Sequence, residues 1–364
     1  MGDETSRRGD SRVSATRLGA GLTPRRFSDP PTVSVIVPAL NEEDHLHACL
    51  SAIEAQSYPA IIEILVADGG SIDHTREIAA SHRLVKVLDN PGRIQAAGLN
   101  AALRRVAGKL VVRVDAHCIL APDYVERCVD ALDQSGAAMV GGTMMPSEGG
   151  GWVGRAIAVA MRSRLGAGPA RFHVGGAPGW VDTVYLGCYP TDLARRQGGY
   201  RLDVGVNEDA ELAVRLGSVG GVWFDPAITA SYFPRDSLPG LAHQFLRYGL
   251  SRAATVRLHP RSLSARQLAA PLLLVGLLSP RRREIGLSYA AVIAGRALAE
   301  VPRDAAAAAG LVLVLPVMHV SWGAGFLLGI GGVRRPPGPV SPRAAGAPWP
   351  GSDPIPALHS GRLR

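Results

Sequence analysis

The run IIEILVADGGSIDHT (residues 61–75) sets the architecture. Ile61 to Ala67 is an apolar, largely β-branched stretch broken only by Glu63, and it reads as a strand. It ends on Asp68, and Ser71 to Asp73 then offers N-caps to a helix running through His82. The strand thereby delivers a carboxylate to its carboxyl end, the edge at which open α/β sheets bind ligands. Gly69 and Gly70 keep side chains away where a planar base or a ribose must approach the backbone.

The same unit recurs on either side of this run. VSVIV (residues 33–37), closed by Pro38, reads as a buried parallel strand, and Asn41-Glu42-Glu43 opens a helix reaching about Gln56. Leu84 to Leu88 and Arg93 to Ala107 give a third strand and helix. Leu110 to Val114 is a fourth strand that stops at Asp115, and Pro122 at N1 starts a helix to Gln134 before a strand at Ala137 to Gly141. This alternation predicts a Rossmann-like α/β fold with a central sheet flanked by helices. The first strand leads into Pro38-Ala39-Leu40-Asn41 rather than G-x-G-x-x-G, which disfavours dinucleotide binding.

Beyond Glu148 the chain becomes rich in Gly and Arg, with a helix expected from Trp152 to Arg164 and a loop from Gly166 to Gly179 of the kind that closes over substrates. Val181 to Tyr185 reads as a strand, Thr191 to Gln197 and Asp209 to Ser218 as helices, and Val222 to Phe224 and Ile228 to Tyr232 as two closing strands. Leu238 to Arg257 alternates Leu, Phe and Tyr with Arg and His at helical spacing, the pattern of a helix lying on a bilayer surface or of an ordinary surface helix. Leu268 to Leu278 is apolar but, at about eleven residues, too short to span. Ala305 to Gly332 carries no Asp, Glu, Lys or Arg and is the best transmembrane candidate, with Trp322 placed as a belt residue. Ile285 to Val301 is a weaker candidate because Arg296 and Glu300 interrupt it, although they form an (i, i+4) pair. A hairpin of the two with its turn near Arg303-Asp304 would leave Arg281 to Arg283 and Arg334, Arg335 on the cytoplasmic side.

At 364 residues, with 47% hydrophobic and 19% charged residues, the chain can bury one large core and an appendage. The formal charge of +8 comes with only 5% aromatics and no nucleic-acid motif, which argues against nucleic acid as a partner. The four cysteines have neither CxxC nor zinc-ligand spacing and read as reduced core residues. Residues 1–30 lack an apolar segment of the signal-peptide type, and both they and the Pro- and Gly-rich residues 334–364 read as disordered tails. The body divides into a catalytic domain over 31–258 and membrane-associated helices over 259–333.

Three further clusters follow Asp68 in order: Asp115-Ala116-His117, Asn207-Glu208-Asp209 and Gln244-Phe245-Leu246-Arg247-Tyr248. Asp115 and a side chain two residues on can share one divalent cation if the backbone turns between them, and such an ion neutralises a departing diphosphate. A histidine donor suits Mn²⁺ better than Mg²⁺. Asp209, at a helix start, suits a general base, with Glu208 beside it. Gln244, Arg247 and Tyr248 share a helical face on which Arg meets phosphate oxygens and an aromatic stacks on a sugar. Taken singly, Asp115-Ala116-His117 and Glu208-Asp209 read more readily as helix caps, and Gln244 to Tyr248 as a helix whose long side chains snorkel at an interface.

Together, in this order, the clusters resemble glycosyltransferase family 2 and its GT-A fold. PALNEE follows the first strand, DGGSIDHT stands for the DDGSTDGT-like turn, DAH for DxD, NED for the ED pair and QFLRY for QxxRW. The likeness covers roughly Pro31 to Leu258, and VRVDAH, VDTVYLGCYP and HQFLRYGLSRA look like the membrane-associated succinoglycan-type exopolysaccharide enzymes. The resemblance implies that Asn41, Glu42, Asp68 and Asp115 bind the nucleotide sugar, that Asp115 and His117 hold a divalent metal, and that Asp209 is the catalytic base. Gln244, Arg247 and Tyr248 would close over diphosphate and acceptor. His117 departs from the second Asp of DxD and puts metal dependence in question, and Tyr248 departs from Trp and weakens the stacking contact.

The expected activity is inverting transfer of a sugar from a nucleotide-diphosphate donor to a hydroxyl of a lipid-linked or other saccharide, by an enzyme at the cell membrane whose catalytic domain faces the cytoplasm. A processive polysaccharide synthase would ordinarily need more spans than this chain offers. A membrane-tethered, non-catalytic sugar-nucleotide scaffold would have no need of both Asp115 and Asp209.

Overall fold

The computed structural model describes residues 27–147, 151–233 and 237–333. The two expected disordered tails, apart from residues 27–30, lie outside the described residues, as do Arg334 and Arg335. The first half alternates as the apolar runs require: β1 (Val33–Ala39), α1 (Leu46–Glu54), β2 (Ile61–Asp68), α2 (Thr75–Ala80), β3 (Val85–Asp89), α3 (Gln95–Arg105) and β4 (Leu110–Arg113). β1 pairs parallel with β2 and β4, and β2 parallel with β3. The continuity of the apolar runs follows from two-sided burial. Val35 and Val37 pack with Leu46, Leu50 and Ile53 of α1, whereas Ile36 and Leu65 pack with Leu99 and Leu103 of α3 on the other face.

The chain continues through β5 (Cys118–Leu120), α4 (Tyr124–Ser135), β6 (Met139–Pro146), α5 (Gly151–Met161), α6 (Arg171–Val174), β7 (Gly179–Val181), β8 (Tyr185–Pro190), α7 (Thr191–Arg196), α8 (Glu208–Gly220) and β9 (Val222–Tyr232). These strands extend the sheet to nine in the order β3-β2-β1-β4-β8-β6-β9-β5, with β7 also on β9. The sheet is mixed, because β8 runs antiparallel to both β4 and β6 while β6 and β9 are parallel. All four cysteines are free and buried.

The C-terminal layer consists of α9 (Leu238–Leu258), two 3₁₀ turns (Pro260–Ser262, Ala265–Leu268), α10 (Ala269–Leu277), α11 (Arg282–Glu300) and α12 (Ala305–Ile330). The Asp304 carboxylate caps α12 by accepting from the amides of Ala306 and Ala307, each at 2.9 Å. The turn before α12 falls where the sequence put it, and Arg296 pairs with Glu300 at 2.8 Å. By length and composition α12 can cross a membrane, with a mean hydropathy of 1.9 over its best window, yet 39% of that window is buried inside the protein.

Several elements differ from the sequence reading. The expected strand at Val181 to Tyr185 is two strands, β7 and β8, joined across 182–184. The two expected closing strands are one, β9, whose pairing with β6 shifts register between Gly141 and Thr143 and so absorbs Pro226. β5 is too short to carry an alternation signal. Pro122 precedes Asp123, the N-cap of α4, and is not its N1 residue. Asn41 to Glu43 form a loop before α1, with Asn41 at φ 54°. Residues 171–174 of the expected Gly166–Gly179 loop are helical. The expected surface helix, α9, instead buries Leu241, Phe245, Gly249, Ala253 and Val256.

Candidate active site

The parallel strands point their carboxyl ends the same way, so Asp68 at the end of β2 and Asp115 just after β4 lie on one edge of the sheet, on either side of the β1 loop. That loop and the β2 turn are laced together. Asn41 donates its amide to Ser71 Oγ at 2.9 Å, and Asn41 Oδ1 accepts from the Ile72 amide at 3.0 Å. The Glu42 amide donates to Thr75 Oγ1 at 2.8 Å, and Glu43 accepts from the His74 amide at 3.1 Å. The Asp68 carboxylate is fully buried, accepting from Ser71 Oγ at 2.5 Å and pairing with Arg76 at 2.8 Å. Burial alone would raise its pKa, but the Ser71 and Arg76 donors outweigh that and hold it below the usual carboxylate range.

The centre of the site is a residue that the sequence reading passed over. Arg113 is the last residue of β4, and strand alternation turns it to the same face as Val111, which packs with Leu212 and Leu216 of α8. Its guanidinium meets Asp115 at 2.7 Å, Asp209 at 2.8 Å and Glu208 at 3.5 Å. Desolvation pulls a buried guanidinium toward its neutral form, yet the three facing carboxylates more than compensate and raise its pKa well above the usual arginine range. The Asp115 and Asp209 carboxylates, 94 positions apart in sequence, are thereby joined through one buried cation.

The two acidic residues of α8 differ in exposure. Glu208 is 2% exposed in its side chain and Asp209 is 23% exposed. Burial drives the Glu208 carboxyl up, Arg113 draws it partly back, and it settles at about 7. Asp209 faces the open side and also accepts from the Ala210 amide at 2.7 Å. Asp115 takes a further bond from Gln95 Nε2 at 3.0 Å. His117 turns toward Glu42, with Nδ1 to Oε1 at 3.1 Å.

α9 brings Tyr248, with Gln244 beside it, to the same place. Gln244 donates to Tyr248 Oη at 2.8 Å. Burial lifts the Tyr248 phenol to about 12, and Asp209, Asp115 and Glu208 lie close enough to lift it further than the Gln244 bond alone would allow. α9 is also tied to the start of α8, since Ser251 Oγ accepts from the Val206 amide at 2.9 Å and His259 meets the buried Glu211 at 2.9 Å. Thus Asp115, Glu208, Asp209 and Tyr248 converge. Asp68, Asn41 and Glu42 form a second group, met by His117, which lies two positions after Asp115. Among the described residues, no group of three or more His, Cys, Asp and Glu side chains is arranged to hold a metal ion by itself.

Comparison with known proteins accords with this geometry. Residues 34–171 match the family described as Glycosyl transferase family 2. The succinoglycan biosynthesis protein ExoA of Rhizobium meliloti is 32% identical over 308 residues, covering 80% of this chain and 93% of that protein. A Methanococcus voltae dolichyl N-acetyl-alpha-D-glucosaminyl phosphate 3-beta-D-2,3-diacetamido-2,3-dideoxy-beta-D-glucuronosyltransferase is 25% identical over 240 residues, 62% of this chain and 74% of that one. In fold, the chain is similar to the mannosyltransferase PcManGT of Pyrobaculum calidifontis, solved with GDP-Man and Mn²⁺, with a TM-score of 0.56 and 19% identity over 83% of this chain and 88% of that one. With the extent of the ExoA match, the chain belongs to glycosyl transferase family 2 and is a glycosyltransferase.

Proposed function

We propose that this glycosyltransferase moves a sugar, with inversion at the anomeric carbon, from a nucleotide-diphosphate sugar to a saccharide hydroxyl during cell-surface polysaccharide or glycolipid assembly. The observation that carries the reading is the Arg113 junction, which sets the carboxylate Asp115 beside the partly exposed carboxylate Asp209 at the strand ends. The nucleotide lies along the laced loops carrying Asn41, Glu42 and Asp68. Asp209 takes the proton of the acceptor hydroxyl as its oxygen attacks C1 from the face opposite the diphosphate. Glu208, buried and holding its proton near neutrality, supports Asp209 and does not contact substrate. Gln244, Arg247 and Tyr248 close on diphosphate and acceptor.

Asp115 and His117 fit a divalent ion of the Mn²⁺ or Mg²⁺ type, because Glu42 backs the His117 ring as carboxylates back metal-ligating histidines. Such an ion, when bound, supplies charge neutralisation on the leaving diphosphate.

A saccharide acceptor is supported by the relative named for succinoglycan biosynthesis, and a lipid-linked one by the relative named for a dolichyl-phosphate sugar. Membrane association is supported by the apolarity of α12 and by the large apolar side chains left exposed from α10 to α12; the catalytic domain is proposed to face the cytoplasm. The test is a thermal-shift screen of UDP-, GDP- and TDP-sugars with and without Mn²⁺, followed by turnover of Asp209→Asn with the donor that binds. That variant is expected to bind donor normally and to lose about 10²- to 10⁴-fold in turnover. Normal turnover would remove Asp209 from the mechanism.

A further inference from the structure

α12 is apolar and exposed along one side, at Val312, Leu313, Val320, Leu327 and Leu328 among others, but its other side is covered by the catalytic domain for its whole length. At 1.5 Å per residue it is about 39 Å long, more than the roughly 30 Å of hydrocarbon it would have to traverse. Along that length it is held against the catalytic domain. At its start, Arg155 of α5 pairs with Asp304 at 2.9 Å. In its first half, Leu311, Val314, Leu315 and Met318 share a core cluster with Ala156, Ile157 and Ala160 of α5, the helix that follows β6 out of the sheet.

Its second half is seated on the helix that carries Gln244, Arg247 and Tyr248. A Cβ placed on Gly249 of α9 would collide with the Trp322 carbonyl, and one placed on Gly325 would collide with the Leu246 carbonyl, so the two backbones are in direct contact. Further along, Arg257 of α9 donates to the Gly329 carbonyl. If α12 stood across a bilayer, α5 and α9 would stand beside it at hydrocarbon depth, with Arg155, Arg247, Arg252 and Arg257 among lipid tails.

What the layer leaves uncovered is also one-sided in character. From α10 to the end of α12 large apolar side chains are exposed, Leu278 at 87%, Leu287 at 74% and Leu298 at 70% among them. At the start of α11, its N-cap Arg281 and its first residues Arg282 and Arg283 are all exposed. Apolar side chains beside a basic cluster match a surface of acyl chains under anionic headgroups.

We infer that α12 lies flat beneath the catalytic domain and does not span the membrane, so that α10, α11 and α12 rest on one anionic leaflet and both ends of α12 stay on the same side. This rests on the membrane association proposed above and refines it. The α9 site is thereby held at headgroup level, where a lipid-linked saccharide presents its sugar.

The test is labelling of the full-length protein, bearing either Arg303→Cys or Val333→Cys, with a membrane-impermeant maleimide. The four native cysteines are buried and serve as the silent background. Both positions are exposed, one before and one after α12. Both are expected to label in inside-out vesicles and neither in intact spheroplasts, with detergent-opened membranes as the full-labelling reference. Labelling of the two from opposite sides overturns the flat arrangement, as does a position that labels only after detergent. Recovery of the protein in the soluble fraction instead overturns the membrane reading itself. In parallel, replacing Arg281, Arg282 and Arg283 together by Gln is expected to weaken binding to phosphatidylglycerol vesicles about 100-fold, roughly fivefold per charge, with little change on phosphatidylcholine. Equal binding to both vesicle types by the unaltered protein refutes the anionic-surface assignment.

Discussion

Replacing Arg113 by Met keeps most of the side-chain length and removes the charge that three carboxylates share. In the native protein the guanidinium is 5% exposed and stands 2.7 Å from Asp115, 2.8 Å from Asp209 and 3.5 Å from Glu208. Removing one partner of a buried ion pair costs about 3–5 kcal/mol, chiefly because the opposite charge is left unpaired. At pH 8, where the orphaned carboxyls must ionise, the variant should therefore lose about that much. At roughly 2 °C per kcal/mol for a protein of this size, Tm should fall by about 6–10 °C. The sign with pH follows from linkage. Burial already raises the Glu208 carboxyl and Arg113 draws it partly back, so without Arg113 it is raised further, and its contribution is intact at low pH and lost as pH rises through the folded value. The deficit should accordingly shrink by more than half at pH 5. Differential scanning fluorimetry in detergent from pH 5 to 8 reads this directly. A variant with native Tm at pH 8, or with the same deficit at both ends of the range, would refute the idea that Arg113 is the counter-ion of the acidic centre.

Glu208→Gln should flatten the native pH profile. The carboxyl is raised from 4.5 to about 7, so its contribution is fully present below pH 4.5 and is lost as pH rises through 7, a loss on the order of 3 kcal/mol; a native-like slope in urea titrations across that window would argue against it. His117→Ala should raise the Mn²⁺ concentration needed for half-maximal activity by about 10- to 100-fold, the range seen when metal-supporting residues are lost, and isothermal titration of Mn²⁺ in the presence of nucleotide checks this apart from turnover. Gly325→Ala should destabilise by about 1–3 kcal/mol through overpacking against α9, as measured by thermal unfolding, whereas the same change at Gly295, where a Cβ meets nothing within 4 Å, should not.

The parallel half of the fold was legible because β1, β2 and β4 are buried on both faces, so Val33 to Val37 and Ile61 to Ala67 had to be unbroken apolar runs. The antiparallel half was harder to read. β5 has three residues, and β9 passes through Pro226, which in sequence looks like a break but is absorbed where the pairing with β6 slips. Among site residues, Asp68, Asp115 and Asp209 were visible as carboxylates after strands or at a helix start. Arg113 was not, since a lone Arg in VVRV has the look of an edge position, and its partners Glu208 and Asp209 lie 95 and 96 positions away. The fate of α9 was equally hidden. An amphipathic pattern shows that one face is apolar, not whether lipid or another helix covers it.

The lacing of Asn41, Glu42 and Glu43 to Ser71, Thr75 and His74 bears on how donor preference can change. Backbone amides on one segment are read by side chains on the other in both directions, so neither can be reshaped without releasing its counterpart. With the nucleotide lying along these segments as proposed, a shift in base or sugar preference, by evolution or by design, would have to rewrite both in concert. Grafting the pair together from a relative is the economical way to exchange one donor for another, while swapping either alone should yield an enzyme that folds but grips no nucleotide well.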